Sequence, residues 1–225
     1  MWPTSSAGNA PLKLALPKGP MMRHVASLME NAGLVVPGYH EGSRVYKLSS
    51  ESPPGVFVKV FSPKDIAIQV AVGNYDIGIT ESLWVAELTS SFKKIAVMTV
   101  MELEFARGWL FAAALPGMTT QELNARAMEN PVRIVGEYPN LADHFARSMR
   151  FARYRVFPVW GRASSYVPEG AEIAVVKERA KGDITRKGLE PLATIAESRA
   201  VVVANRESFQ TKDLSRLLSP LKEAL

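Results

Sequence analysis

The sequence predicts an α/β protein built on largely parallel sheets. Two observations carry this prediction: short apolar runs alternate with segments of helical periodicity along most of the 225 residues, and Gly, Pro and capping residues bound them. The composition agrees, because 47% hydrophobic and 22% charged residues are typical of a folded globular protein. Disordered and fibrous architectures are therefore excluded for the bulk of the chain.

Strands and helices alternate in the first half of the chain. Apolar runs predict strands at 12–16, 56–61, 76–80 and 94–100. Helical spacing predicts helices at 21–32, 62–73 and 83–88. Gly33 is a natural stop for the first helix, and Ser62 with the proline after it is a typical helix start. Residues 1–11 contain Ser, Gly, Asn and Pro, which favours a flexible tail.

The second half continues the alternation. Strands are predicted at 109–115, 132–135, 155–160 and 171–176, and within 194–204. Helices are predicted from the capping-box sequence that begins at Thr119, at 139–151 and at 214–224. No Gly/Ser-rich or Pro-rich linker divides the chain. Any two domains would therefore be joined by strands that cross from one to the other.

The residue counts exclude several kinds of site. The chain has no cysteine, which rules out disulfides, zinc–thiolate sites and a thiol nucleophile. Its three histidines show no metal-ligand spacing and no Ser-His-Asp arrangement. The longest apolar run, 109–116, is too short to cross a bilayer, and no targeting segment is recognised. We therefore expect a cytoplasmic protein that needs neither a protein-held metal nor a membrane.

A net charge of +5 and a pI of about 9.5 favour anionic partners. The only block that resembles a basic patch is 147–155, where four arginines alternate with aromatic residues. A nucleic-acid surface is one interpretation of this block. A solvated helix face that runs into a strand is the favoured one, so we expect no nucleic-acid partner.

Four loops that follow predicted strands carry candidate chemistry. The Lys18-Gly19 turn opens a helix, whose free N–H groups and dipole suit a phosphate or carboxylate, although an ordinary turn fits equally well. The strand 76–80 has a carboxylate at one end and a hydroxyl at the other. The segment 137–140 again leads into a helix, where Asn140 would at least be a local cap. The charged, glycine-containing segment 177–185 is either a ligand loop or, more commonly, a solvated surface loop.

These segments together resemble the ATP phosphoribosyltransferases of histidine biosynthesis, in their short form. The resemblance is carried by Ala15-Leu-Pro-Lys-Gly19, Ser43-Arg44, Lys64-Asp-Ile66, Gly73-x-x-Asp-Ile-Gly-Ile-Thr80, Arg133 to Leu141 and Ala204-Asn-Arg206, which occur in the family's order from about Leu12 to the C-terminus. It implies two α/β lobes that resemble type II periplasmic binding proteins, with a cleft between them. The implied domains are 12–104 plus 190–225, and 105–189.

The resemblance also implies chemistry and partners. The substrates would be ATP and phosphoribosyl pyrophosphate, with Mg2+ bound to their phosphates, and the reaction needs no covalent side-chain intermediate, so no catalytic residue is assigned. A homodimer or hetero-oligomer is implied, with a possible regulatory subunit that resembles histidyl-tRNA synthetase. The positions that match the family's motifs and would bind substrate are Lys18, Gly19, Arg44, Asp76, Gly78, Thr80, Tyr138, Asn140, Glu172, Lys181, Gly182 and Asp183.

The chain departs from the family pattern in the phosphoribosyl-pyrophosphate loop. Glu172 keeps the first acidic position, but Val176 occupies the second, and Ala180-Lys-Gly-Asp183 stands where the family has Thr-Gly-Thr-Thr. The family's arginines are replaced at Pro20 and Ser62. A carboxylate at 183 would repel a phosphate, which Lys181 and nearby basic residues would partly offset. The alternative is therefore a catalytically impaired homologue that acts as a ligand-binding or interaction subunit.

Overall fold

The computed structural model describes residues 11–92 and 95–225. The predicted tail, 1–11, lies outside the described residues except for its last position. The strands are β1 (Leu12–Pro17), β2 (Lys47–Ser49), β3 (Val56–Phe61), β4 (Ile77–Glu81), β5 (Val97–Ala114), β6 (Val132–Gly136), β7 (Tyr154–Pro158), β8 (Ile173–Glu178) and β9 (Glu190–Asn205). The helices are α1 (Met22–Asn31), α2 (Pro63–Ala71), α3 (Ser82–Ser91), α4 (Thr120–Glu129), α5 (Pro139–Ser148), α6 (Lys181–Thr185), α7 (Arg206–Thr211) and α8 (Ser215–Glu223).

The described residues divide into two compact units. The first consists of the described parts of Met1–Glu81, Lys94–Phe105 and Ala200–Leu225. The second consists of the described parts of Ser82–Lys93 and Ala106–Arg199. The two long strands, β5 and β9, each begin in one unit and end in the other. The predicted domain limits differ from these units over 82–93, at 105 and over 190–199, and they remain a proposal.

In the first unit the strand order is β2-β3-β1-β4-β9. Strand β1 pairs in parallel with β3 and β4, whereas β2 and β9 are antiparallel to their neighbours. Helix α2 packs closely on this sheet, because a Cβ atom added at Gly78 would lie only 2.4 Å from Ile66 and 3.1 Å from Val70. Because β1, β3 and β4 are parallel, their carboxyl ends lie at the same edge of the sheet.

In the second unit the strand order is β5-β8-β6-β7. Strands β8, β6 and β7 are parallel, and β5 is antiparallel to β8. Alternate residues enter different cores: Ile134 packs with Leu110 and Phe145 on one face, and Val135 packs with Phe111 on the other. This period of two places the sheet between two apolar layers and explains the unbroken apolar runs in the sequence.

The structure joins two predicted strands into the single strand β5. It also contains one short strand and two short helices that were not predicted. The expected strands 94–100 and 109–115 form one strand, because burial keeps alternating through the charged segment: Leu103 is buried between the exposed Glu102 and Glu104. Ala106 lies within β5 with a φ of 56°. Strand β2 and helices α6 and α7 were not predicted from sequence, because segments this short carry too few residues for a periodic pattern.

Candidate functional site

The turn after β1 places a lysine at the carboxyl edge of the first unit's sheet. The backbone N–H of Lys18 donates to the carbonyl of Phe61 at 2.7 Å, which ties the ends of β1 and β3 together. Gly19 has a φ of 78°, a left-handed conformation that favours glycine, and begins the short turn that leads into α1. The ammonium of Lys18 lies 5.7 Å from the centre of the Tyr46 ring. The turn therefore brings a cation and a helix N-terminus to the same edge.

Two further predicted residues of the first unit serve its packing. Thr80 is fully buried, and its hydroxyl donates to the carbonyl of Pro63 at 2.7 Å, which holds the start of α2 against β4. Gly78 is needed because α2 approaches β4 there, so the close backbone approach is one between a helix and the sheet. Arg44 is exposed in the irregular segment before β2. Of these three positions, only Arg44 presents its side chain to solvent.

Asp76 stands at the amino end of the strand that the sequence predicted at 76–80. It precedes β4, at the edge of the sheet opposite Lys18, and its side chain is only 3% exposed. One carboxylate oxygen accepts the backbone N–H of Lys13 at 2.8 Å. The other accepts the Ser208 hydroxyl at 2.6 Å and the Lys212 ammonium at 2.8 Å. Its bonding capacity is used inside the first unit, so Asp76 anchors α7 and the segment after it to the sheet.

In the second unit a carboxylate of the protein already occupies the start of α5. Glu87 on α3 accepts the N–H of Asn140 at 2.8 Å and the N–H of Leu141 at 2.9 Å. The side-chain amide of Asn140 donates back to the Glu87 carbonyl at 3.1 Å. Burial raises the pKa of Glu87, although the two backbone hydrogen bonds oppose this shift. The predicted anion site at 137–140 is therefore filled by Glu87, and Asn140 binds that residue.

Tyr138 belongs to the core of the second unit. Its side chain is only 4% exposed, and its ring packs at 34° to the ring of Trp84 with centroids 4.3 Å apart. The same apolar cluster contains Leu83 and Leu141. The aromatic ring therefore fixes α3 against α5, a structural role that the sequence alone did not indicate.

Glu172 forms an ion pair with Arg133 at the amino ends of β8 and β6. The Arg133 guanidinium lies 2.6 Å from Glu172, and the Arg133 N–H donates to the same carboxylate at 2.7 Å. Burial raises the pKa of Glu172, but the hydrogen bonds and charge of Arg133 outweigh it and hold this pKa below its usual value. Glu172, one of the positions expected to bind substrate, thus lies at the edge opposite α6, where it joins two neighbouring strands.

The altered loop follows β8 at its carboxyl end and forms α6. Asp183 accepts the N–H of Ala180 at 3.0 Å and pairs with Arg186, so its charge is neutralised locally. Lys181 is exposed in the first turn of this helix, and a Cβ atom on Gly182 would meet only the end of the Arg186 side chain, at 3.9 Å. Of the positions predicted in the second unit, Lys181 and Gly182 are the ones that stay accessible.

The side chain of Val176, at the second acidic position of the family pattern, faces the core. It is 9% exposed and packs with Phe111, Ile184 and Leu189. A carboxylate at this position would enter an apolar cluster. The position at which the resemblance leads us to expect an acidic residue is therefore, in this chain, part of the packing beneath α6.

Sequence reasoning missed Glu87 and Tyr46. The signal for Glu87 was a single carboxylate on the apolar face of the segment that forms α3, between Leu83 and Leu88. Tyr46 carried no signal, because an aromatic residue in an irregular segment is common. Its position became evident only when β2 was seen to pair with β3.

Other classes of site find no support in the described part of the chain. Residues 11–92 and 95–225 contain no group of three His, Asp or Glu side chains that could hold a metal ion. His24 stacks on Phe105 with ring centroids 5.3 Å apart, and His40 contacts the neighbouring Glu41 carbonyl. Among the same residues, no helix is long and apolar enough to cross a membrane.

Comparison with known proteins agrees with the predicted resemblance. The family described as ATP phosphoribosyltransferase (HisG) matches residues 62–225. The ATP phosphoribosyltransferase of Sorangium cellulosum is 28% identical over 218 residues, which cover 96% of this chain and 94% of the relative. That of Sulfurisphaera tokodaii is 24% identical over 229 residues, with 95% and 73% covered.

Two solved structures are similar in fold. The ATP phosphoribosyl transferase (HisG:HisZ) complex from Thermotoga maritima superposes with a TM-score of 0.78 at 20% identity, covering 95% of this chain and 98% of that one. The periplasmic aliphatic sulphonate binding protein SsuA from Escherichia coli gives a TM-score of 0.53 at 11% identity, covering 95% and 68%. The predicted α/β fold of the type II periplasmic binding protein kind is confirmed.

Proposed function

Because the chain belongs to the ATP phosphoribosyltransferase family, we propose that it transfers the phosphoribosyl group of phosphoribosyl pyrophosphate to N1 of ATP, the first step of histidine biosynthesis. The match over 62–225 is the observation that carries this proposal. The lone pair of adenine N1 forms a bond to the ribose C1′ carbon. The bond from C1′ to the pyrophosphate oxygen breaks, and pyrophosphate leaves with its electron pair.

Because adenine N1 is the nucleophile, the main task of the protein in this reaction is to align two polyanionic substrates. We assign ATP binding to the first unit, at Lys18, Gly19 and Arg44. Lys18 supports this assignment because its ammonium and the start of α1 share the carboxyl edge of the parallel strands. We assign phosphoribosyl-pyrophosphate binding to the second unit, at Lys181 and Gly182 at the end of β8. Asp76, Tyr138, Asn140 and Glu172 instead position the elements that carry these groups.

We propose that Mg2+ enters with the polyphosphate substrates, where it would neutralise phosphate charge. The described residues contain no cluster of three His, Asp or Glu side chains for a metal held by protein alone, so no residue is assigned to the ion. The chain's own contribution to charge neutralisation would come from Lys18, Arg44 and Lys181.

For a partner, we propose a second copy of the chain and a regulatory subunit. The Thermotoga maritima structure similar in fold is a HisG:HisZ complex, which supports this kind of assembly. The resemblance implies that the regulatory subunit is similar to histidyl-tRNA synthetase. The cytoplasm remains the expected location, because the substrates are intracellular nucleotides.

The alternative of an impaired homologue rests mainly on Asp183. Its carboxylate bonds to the backbone of Ala180 and pairs with Arg186, which removes much of the repulsion expected for a phosphate. Since no finding favours the alternative, the enzymatic function is the one we retain.

The function is tested by pyrophosphate release from ATP and phosphoribosyl pyrophosphate, with Mg2+, in the presence and absence of the candidate regulatory subunit. We expect turnover that Lys18→Ala and Lys181→Ala each reduce by about tenfold or more, because each loses a charge-assisted phosphate contact. Lys222→Ala, an exposed lysine at the end of α8, is the matched control and should leave the rate unchanged. A folded chain that releases no pyrophosphate even with the partner would contradict the proposal.

A further inference from the structure

One aromatic side chain of the first unit is exposed at the edge where nucleotide binding is proposed. Tyr46 is 53% exposed. Exposure alone has no functional meaning, since single apolar side chains on a surface are common. The position of this ring, its fixed backbone and its charged neighbour together distinguish it.

Two hydrogen bonds fix the segment that carries Tyr46. The carbonyl of Tyr46 accepts the N–H of Val60 at 2.9 Å, next to the last residue of β3. Seven residues earlier, the buried Tyr39 hydroxyl donates to the carbonyl of Pro17 at 2.7 Å, the last residue of β1. The segment is therefore tied to the carboxyl ends of both parallel strands, and the backbone that carries Tyr46 is held in place before any ligand binds.

Lys18 is the charged neighbour of this ring. Its ammonium lies 5.7 Å from the centre of the Tyr46 ring, a distance at which a cation is attracted to the aromatic face. The backbone of Lys18 is also fixed, through its N–H bond of 2.7 Å to Phe61 at the end of β3. A positive charge thus lies over the face of an exposed aromatic residue, at an edge where the backbone of both residues is fixed.

A nucleoside triphosphate has the complementary chemistry, with a flat base at one end and a polyanion at the other. An aromatic ring accepts the base by stacking, and an ammonium neutralises the phosphate. Resting on the proposed function, we infer that Tyr46 stacks on the adenine ring of ATP and so determines the affinity of the first unit for its nucleotide. Lys18 then holds the phosphate end of the same molecule.

Stacking and charge predict different effects of substitution. Tyr46→Ala should raise the Kd for ATP and the Kd for AMP by similar factors of about tenfold, because both share the base. Lys18→Ala should raise the Kd for ATP more than the Kd for AMP, because ATP carries more phosphate charge. In steady-state kinetics, Tyr46→Ala should raise KM for ATP by the same factor and leave kcat and KM for phosphoribosyl pyrophosphate within about twofold.

Three variants separate stacking from structural effects. Tyr46→Phe keeps the ring and should bind ATP like the unsubstituted chain. Tyr46→Leu keeps apolar bulk without an aromatic face and should behave like Tyr46→Ala, which covers the case in which alanine loosens the segment. Val45→Ala, at the neighbouring residue, which is 50% exposed, is the matched control and should change nothing.

The experiment is isothermal titration calorimetry with ATP and AMP on the full chain, followed by initial-rate kinetics with the regulatory subunit present. A Kd for ATP within twofold of the parent value in both Tyr46→Ala and Tyr46→Leu would overturn the inference and leave the proposed function standing. A Tyr46→Phe variant as weak as Tyr46→Ala would also overturn it, since the hydroxyl would then be the binding group. An unsubstituted chain that binds no adenine nucleotide would overturn both proposals.

Discussion

Glu87 accepts the backbone N–H of Asn140 at 2.8 Å, so a side chain of the protein fills the anion site at the start of α5. The second carboxylate oxygen accepts the N–H of Leu141 at 2.9 Å. A negative charge is favoured at a helix N-terminus by the helix dipole and by free N–H groups. This helix start is therefore occupied by a carboxylate of the protein, and the phosphate sites that we propose lie elsewhere, at the turn after β1 and at α6.

Removing the Glu87 carboxylate should destabilise the second unit. Glu87→Ala leaves two backbone N–H groups at the start of α5 without their acceptor, and we expect a loss of about 2–4 kcal/mol. Glu87→Gln retains one acceptor oxygen and should lose about half as much. Urea unfolding measures both losses. The exposed Glu129→Gln on α4 is the control and should lie within about 0.5 kcal/mol of the parent.

Glu87 should also give the stability a specific pH dependence. Burial raises the pKa of Glu87 above the value near 4.5 that it has when unfolded, so ionising it costs folding free energy. The part of its contribution that depends on protonation is complete below pH 4.5 and is lost as the pH rises through the folded-state pKa, whereas the hydrogen bonds from Asn140 and Leu141 remain. The parent chain should therefore lose stability relative to Glu87→Gln as the pH rises from 4.5 through the folded-state pKa of Glu87. Unfolding curves that keep a constant difference over this range would contradict the prediction.

The Arg133–Glu172 ion pair should act in the opposite direction. Burial raises the pKa of Glu172, but Arg133 holds it below its unfolded value, so the pair contributes stability above pH 4.5 that is lost as the pH falls through the folded-state pKa. Glu172→Gln should cost about 1–2 kcal/mol at neutral pH, a value reduced by solvent around Arg133, which is 40% exposed. The difference in unfolding free energy between the parent chain and Glu172→Gln should shrink in acid. The control, Glu223→Gln on α8, should have the same unfolding free energy as the parent chain. Thermal unfolding across pH measures it.

Asp76 should prove to be a structural residue. Asp76→Ala leaves the Lys13 N–H, the Ser208 hydroxyl and the Lys212 ammonium without their acceptor, and we expect a loss of about 3 kcal/mol. Lys212→Met should cost less, because two donors remain on Asp76. Neither change should alter KM for either substrate in the folded protein. A tenfold rise in KM without loss of stability would return Asp76 to the substrate site.

Asp183 should weaken phosphoribosyl-pyrophosphate binding by occupying Arg186. Asp183→Thr removes a negative charge from α6 and releases the Arg186 guanidinium, so KM for phosphoribosyl pyrophosphate should fall by about three- to tenfold. The exposed Asp213→Thr serves as the control, because it changes the same charge in the other unit. An unchanged KM would show that Arg186 does not reach the substrate.

Restoring the family's acidic residue at 176 should have a different effect. Val176→Asp places a carboxylate in the apolar cluster that contains Phe111 and Ile184, and we expect a loss of about 3 kcal/mol or more. A differential scanning calorimetry midpoint equal to that of the parent would contradict this, and would mean that residue 176 can turn toward solvent.

Local sequence rules predicted much of the framework of both units. The strand that leads into the Lys18-Gly19 turn, the helix start at Ser62 and the capping box at Thr119 all form where they were expected. These features depend on residues close together in the chain, where backbone geometry and capping dominate. The altered loop was located correctly at the end of β8, but its short helix and the bond from Ala180 to Asp183 were not predicted.

The sequence by itself determined the fold class, the family and the two loops that carry Lys18 and Lys181, because periodicity and motif order are local properties. Only the tertiary structure decided what the buried polar residues do. Asp76 meets Ser208 across 132 positions, and Glu87 meets Asn140 across 53. A carboxylate that meets such donors on folding becomes an anchor or a helix cap, whereas an exposed one remains available to a ligand. That choice is made by burial and by partners distant in the chain, which no local pattern contains.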